Sequence, residues 1–241
     1  YNYEEMNTAE INQLPSAKHW FGTDDLGRDL FARVFQGGRV SLTIGIVGAV
    51  VASVVGSIYG GIASYFGGIV DDIMMRIVEV LLSIPYLLTV ILISVVTDSK
   101  SIGTMMLALV LTGWCGIARL VRGQMLQLKS QEYVLAATAL GVSPLKTIMR
   151  HLIPNTLGII IVAITFDIPG YIFSEAFLSY VGLGVQPPET SWGALASAAQ
   201  QNFMFYPYQL FFPSLMIALT MLGFTLLGDG LRDALDPKLR K

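Results

Sequence analysis

Few residues in this 241-residue chain can do chemistry unaided. His19 and His151 are its two histidines and Cys115 its one cysteine, and no Cys/His cluster has the spacing of a metal site. A single cysteine within an apolar run reads as a packed thiol and allows no intrachain disulfide. The chain contains no G-x-x-x-x-G-K-[ST] phosphate loop, so any ATP chemistry has to come from another chain. It also lacks a Ser/His or metal constellation of the kind an enzyme needs. No catalytic residue, bound metal or cofactor is therefore expected.

One acidic side chain stands out. Asp167 falls inside the apolar run 155–180, where an ionisable group is costly and is a functional candidate by default. At helical spacing Asp167, Gly170, Tyr171 and Ser174 share one stripe, which would suit the wall of a water-filled path. The alternative is local: Asp167 caps or pairs where Pro169 breaks the helix. Both readings stand at this point. Glu79 is a weaker candidate, because Arg76 three residues earlier offers it a local ion pair.

The other candidate is the polar stretch 131–155, "QEYVLAATALGVSPLKTIMRHLIPN". Tyr133, Ala136, Ala137 and Leu140 recur at i, i+3, i+4 and i+7, one face of a short helix. Gly141 permits a left-handed corner. Ser143 and Pro144 then read as the N-cap and first residue of a second helix, with Leu145, Ile148, Met149 and Leu152 on one face. Pro154 is expected to end that helix. A helical hairpin with basic flanks fits an interfacial pair lying under lipid headgroups. Its small-residue face and abrupt corner fit insertion into a groove of another protein equally well.

These candidates need a membrane scaffold to position them. The chain is 54% hydrophobic and 13% charged, with a mean hydropathy of +0.63. That composition belongs to an integral membrane protein, and the small net charge of −2 argues against nucleic acid as a partner. Five runs reach the roughly 20 apolar residues a span needs: 40–64, 74–97, 102–122, 155–180 and 208–229. Continuous runs of this length predict helices rather than barrel strands, hence an all-α, polytopic bundle. In the first run Gly45, Ala49, Ser53, Ser57 and Gly61 repeat every four residues, as do Gly48, Ala52, Gly56, Gly60 and Ser64. Such rows predict a close helix-packing seam.

Arg119, Arg122, Lys129, Lys146 and Arg150 border the hairpin, and Arg232, Lys238, Arg240 and Lys241 lie in the tail. Residues 181–207 carry no lysine or arginine. The asymmetry places the loop 123–154 and the tail 230–241 in the cytoplasm and 181–207 outside, in a multi-pass protein of the cell membrane. Lys18, Arg28, Arg33 and Arg39 run against this, though Asp24, Asp25 and Asp29 are interleaved with them. Residues 1–39 are then an extracytoplasmic segment, in which Leu26, Leu30, Val34 and Phe35 predict a short amphipathic helix ending at Gly37-Gly38. Residues 40–229 form the membrane domain. An odd number of spans starting outside, with no signal peptide and Tyr1 in place of Met, predicts a preceding cytoplasmic segment and a sixth span.

Sequence motifs along nearly the whole chain resemble one family. The segment Leu135-Ala136-Ala137, Gly141 and His151-Leu152-Ile153-Pro154 is similar to the EAA loop of ABC-importer permeases. Glu132 stands where the peptide-permease branch reads E-Y-V-x-A-A. "HWFGTDDLGRDLFARV" (19–34), "SEAFLSYVGLGVQPPETSWGAL" (174–195) and "GDGLRDALDPKLRK" (228–241) resemble signatures of the oligopeptide, dipeptide and nickel permeases, and the C-type peptide subunit most of all. The resemblance implies the type I ABC-importer permease fold. It implies a homologous second permease, two cytoplasmic ABC ATPase subunits and an extracytoplasmic binding protein as partners. It also implies that Glu132, Tyr133, Ala136, Ala137, Leu140, Gly141, Ser143 and Pro144 couple the spans to the ATPase, and that peptides are moved inward. Nickel–chelator complexes or another small solute are the alternative cargo. A secondary transporter is the alternative class, which would call for a relay of buried acids across several spans, and only Asp167 is a serious candidate for one.

Overall fold

A computed structural model describes residues 1–99 and 101–235. Lys238, Arg240 and Lys241, and the last part of the C-terminal motif, lie outside the described residues. Every regular element among the described residues is helical, apart from an isolated antiparallel bridge between Thr23 and Asp29.

The first 29 residues fold as a lobe against the end of the bundle. Asp24 accepts hydrogen bonds from the Leu26 and Arg28 amides at 3.0 and 2.9 Å and pairs with Arg28 Nε at 2.7 Å. Gly22 and Gly27 supply the positive-φ corners. Lys18 pairs with Glu10, and its hydrogen bond holds that carboxyl below the ordinary carboxylate range. Arg28 and Arg33 both face Asp24, so much of the lobe's positive charge is neutralised locally. That pairing explains why these bases need not fix the orientation of the chain.

Asp29 caps α1 (Leu30–Phe66) by accepting the Ala32 amide at 2.8 Å. The stripe expected to form a separate short helix up to Gly37-Gly38 is instead the opening of this single 37-residue helix, with Leu26 just before it. The two glycines do not end it. A Cβ on Gly38 would sit 2.8 Å from the Trp192 ring, and one on Gly37 2.9 Å from the Ser191 backbone. They are close-approach sites for the segment around Ser191 and Trp192. Further along, the small-residue rows form the predicted seam. A Cβ on Gly56 would lie 2.6 Å from the Trp114 carbonyl oxygen, one on Gly60 would collide with the Ala118 carbonyl, and Gly45 and Gly48 face Ile172 and Tyr171.

The second expected span is broken. It forms α2 (Gly68–Ser83) and α3 (Tyr86–Thr97), bent by 84°. Ile84 before Pro85 is extended, at φ −81° and ψ 121°, because the proline ring excludes the helical region for its predecessor. The break delivers Tyr86 to the bundle interior. α4 (Ile102–Lys129) follows, capped by Ser101, and Arg122 clamps Asp71 of α2 with two bonds of 2.5 Å.

The polar hairpin comprises α5 (Glu132–Ala139) and α6 (Pro144–Thr147). Pro154 does not end the second helix as expected. α6 passes through a π-helical turn, Ile148–Leu152, straight into α7 (Ile153–Tyr180). A proline lacks the amide donor and crowds the carbonyl four residues back; the wider turn absorbs both effects. α7 also continues through Pro169 without a break. After a loop, α8 (Trp192–Gln200) and α9 (Pro207–Leu235) complete the chain. Among the described residues four helices are long and apolar enough to cross a membrane, or five if the bent pair is counted as one span.

Candidate functional site

The four residues of the Asp167 stripe meet in one place. Asp167, Gly170, Tyr171 and Ser174 of α7 line a concavity of about 300 Å³, closed by Thr112 and Gly113 of α4, Tyr86 of α3 and Phe166. The Tyr86 and Ser174 side chains meet there. Tyr171 lies across the glycines of both neighbours: its ring packs on Gly48, and its hydroxyl fills the space that a side chain at 113 would take. That hydroxyl is buried without a hydrogen-bond partner. Among the described residues no lysine or arginine lines the concavity. Pro169 does not break α7, so there is no broken helix end at this point for Asp167 to cap. Glu79 pairs with Arg76 at 2.8 Å on the surface, as its spacing suggested. A larger groove of about 720 Å³ between α4, α7 and α9 is lined mainly by apolar residues such as Leu120, Ile159 and Val162.

Glu175, one residue beyond the stripe, was not singled out from the sequence. It is 0% exposed and accepts hydrogen bonds from Ser41 of α1 at 2.9 Å, Ser179 of α7 at 2.8 Å and Ser191, the N-cap of α8, at 2.5 Å. Ser41 already accepts the Trp192 amide and Ser191 the Ala194 amide, so both hydroxyls turn their protons toward the carboxylate. Trp192 Nε1 adds a 2.8 Å bond to the Val34 carbonyl. Together these contacts lock α8 onto α1 and α7. The sequence did carry a signal: Glu175, like Asp167, is a carboxylate inside the apolar run 155–180, and the quoted motif contains Glu175, Ser179, Ser191 and Trp192.

At the opposite end of α7, Gly141 makes the hairpin corner at φ +76°. The Gly141 and Val142 amides donate to the carbonyls of Thr138 and Ala137. Ser143 has the extended N-cap backbone, though its side chain makes no capping bond, and Pro144 is the first helical residue. The face expected to dock on another protein needs correction at Ala137. Ala137 is turned inward, and Val134, one turn earlier on the same side, packs with Met125, Ile148 and Leu152. A short helix at a bundle end must bury one stripe to stay attached, and Val134–Ala137 is that stripe. The neighbouring face is free. Glu132, Tyr133 and Ala136 are exposed, Leu140 is 84% exposed, and Leu145 across the corner is 67% exposed. Apolar side chains this bare at a hairpin corner are candidates for a contact surface.

Residues 52–241 match the family model described as "Binding-protein-dependent transport system inner membrane component". The chain is 50% identical over 241 residues to the oligopeptide transport system permease protein OppC of Bacillus subtilis, covering 100% of this chain and 79% of the relative. It is 52% identical over 237 residues to the dipeptide transport system permease protein DppC of the same organism, covering 98% and 74%. A glutathione transport system permease protein, GsiD of Escherichia coli, is 40% identical, covering 100% and 77%. Among solved structures, an inward-facing MetNI methionine ABC transporter chain superimposes with a TM-score of 0.69 at 18% identity, covering 86% of this chain and 98% of that one. This likeness confirms the expected fold.

Proposed function

We infer, from a chain that belongs to the binding-protein-dependent transport system inner membrane components, that it is a permease subunit of an ATP-driven importer of peptides. The peptide cargo follows its relatives, which are named for oligopeptide, dipeptide and glutathione transport. A second, homologous permease completes the path. Two ATPase subunits bind at the cytoplasmic hairpin, and an extracytoplasmic protein delivers the peptide near 181–207. The Asp167, Gly170, Tyr171 and Ser174 stripe faces the translocation path.

One observation carries the coupling role: Leu140 and Leu145 stand bare on either side of a glycine corner whose own stripe, Val134 and Ala137, is already buried. An interfacial helix pair would turn one continuous apolar face to the lipid. Here the two barest apolar groups flank the tip, with Leu135 and Met149 less exposed behind them, the form of a knob for a socket. Because α6 runs through the π turn into α7, a push on the knob moves the helix that carries Asp167 and Glu175. Copurification of the ATPase subunits with the membrane complex tests this. Leu140→Glu should reduce their recovery while the spans remain inserted; undiminished recovery and undiminished peptide-stimulated ATP hydrolysis would remove the coupling role.

A further inference from the structure

We propose that the concavity around Asp167 is a binding site for a primary ammonium group, and that it takes the free amino terminus of the peptide in transit. The proposal rests on the reading of this chain as a peptide permease and names the part of the cargo that the path recognises.

Asp167 supplies the negative charge, and among the described residues no cationic side chain lines the concavity to neutralise it. Thr112, Ser174 and Tyr86 supply hydroxyls, which accept hydrogen bonds from an –NH₃⁺ group with its three donors. Phe166, Tyr86 and Tyr171 supply aromatic surface, which attracts an organic cation through the ring quadrupole. The Tyr171 hydroxyl, buried on Gly113 without a partner, is a further polar group that a small ring movement would bring to an occupant. A carboxylate, hydroxyl oxygens and ring faces around one small space suit an alkylammonium. They suit a peptide carboxylate poorly, because the site offers no positive charge, and a bare metal cation poorly, because it offers a single carboxylate. Gly170 leaves the wall open: a Cβ there would meet nothing within 4 Å.

The test uses the whole complex in lipid nanodiscs, with Gly170→Cys as a reporter one helical turn from Asp167. Its labelling by cationic aminoethyl methanethiosulfonate is compared with that by anionic sulfonatoethyl methanethiosulfonate, each relative to a free thiol. Asp167 should favour the cationic reagent by about tenfold over the same ratio measured with Asp167→Asn. Trialanine should slow the labelling of the reporter thiol, N-acetyltrialanine should not, and Asp167→Asn should abolish the difference. Equal charge ratios in both backgrounds, or equal protection by both peptides, would overturn the proposal. ATP-driven uptake of trialanine by the wild-type complex is measured alongside. Uptake without charge preference overturns the ammonium site alone, whereas absence of uptake overturns the peptide-import reading and the site with it.

Discussion

Leu140 and Ala137 are separated by one helical turn and have opposite duties. Leu140→Glu puts a charge on the bare knob and should lower ATPase binding with little change in the stability of the membrane subunit. Ala137→Glu forces a carboxylate into the stripe that holds the hairpin on the bundle. It should cost several kcal/mol locally and lose coupling through misfolding of the hairpin. Gly141→Val places a β-branched residue at φ +76°, a true outlier, and should act like Ala137→Glu. Limited proteolysis at the hairpin separates the cases: only the Leu140 variant should keep the wild-type pattern. Glu175 allows a second test. Glu175→Gln presents an amide donor to hydroxyls that are themselves donating, and should lower stability by about 1–3 kcal/mol. A double-mutant cycle with Ser191→Ala, read by thermal unfolding in detergent, should show coupling of about 0.5–3 kcal/mol. Asp167 was legible in the sequence because a carboxylate in an apolar run is conspicuous. Glu175 is a carboxylate in the same run and was equally conspicuous; what the sequence does not show is its role, because its partner Ser41 lies 134 residues away and a serine gives no sign that it is donating to a distant acid.

Among the elements, the seam of α1 was readable because small residues at a four-residue spacing have few other uses, and its contacts with α4 and α7 follow the rows. The structure gives it a test. Gly60→Val collides with the Ala118 carbonyl and should cost at least about 1–3 kcal/mol, as overpacking does. Gly223→Ala meets nothing within 4 Å and should be neutral, or stabilising by up to about 1 kcal/mol through helix propensity. Thermal unfolding of the two variants in one detergent should separate them; similar melting temperatures would refute the seam. The prolines were harder to read. Pro85 breaks a span, whereas Pro154 and Pro169 do not. The local chemistry is the same at all three. What differs is whether the surrounding packing accepts a bend, as at Ile84, or a π turn, as at Ile148–Leu152, and tertiary packing is not written in a local pattern.

At the scale of the molecule, the bundle is one-sided. Only 6% of the most apolar stretch of α9 is buried, against 50% for α1, so α9 stands at the periphery. The orientation we propose from the charge asymmetry puts the hairpin inside and the α8 segment outside, and thiol labelling of intact cells tests it. Ser130 and Met204 are exposed, whereas Thr190 is only 1% exposed and would be a poor reporter. A membrane-impermeant maleimide should label Met204→Cys and spare Ser130→Cys; Cys115 is buried and should stay silent in both. The reverse pattern would invert the chain and remove the coupling role. The central claim is that this chain conducts peptides under the power of ATP hydrolysed on other subunits. Uptake of trialanine into proteoliposomes holding the full complex and its binding protein measures that directly. Uptake should require ATP inside the cytoplasmic-face compartment, persist when a protonophore collapses the proton gradient, and fall at least about tenfold with Leu140→Glu, scaled to a coupling loss of about 1.4 kcal/mol or more. Uptake that survives ATP depletion and disappears with the proton gradient would contradict the account.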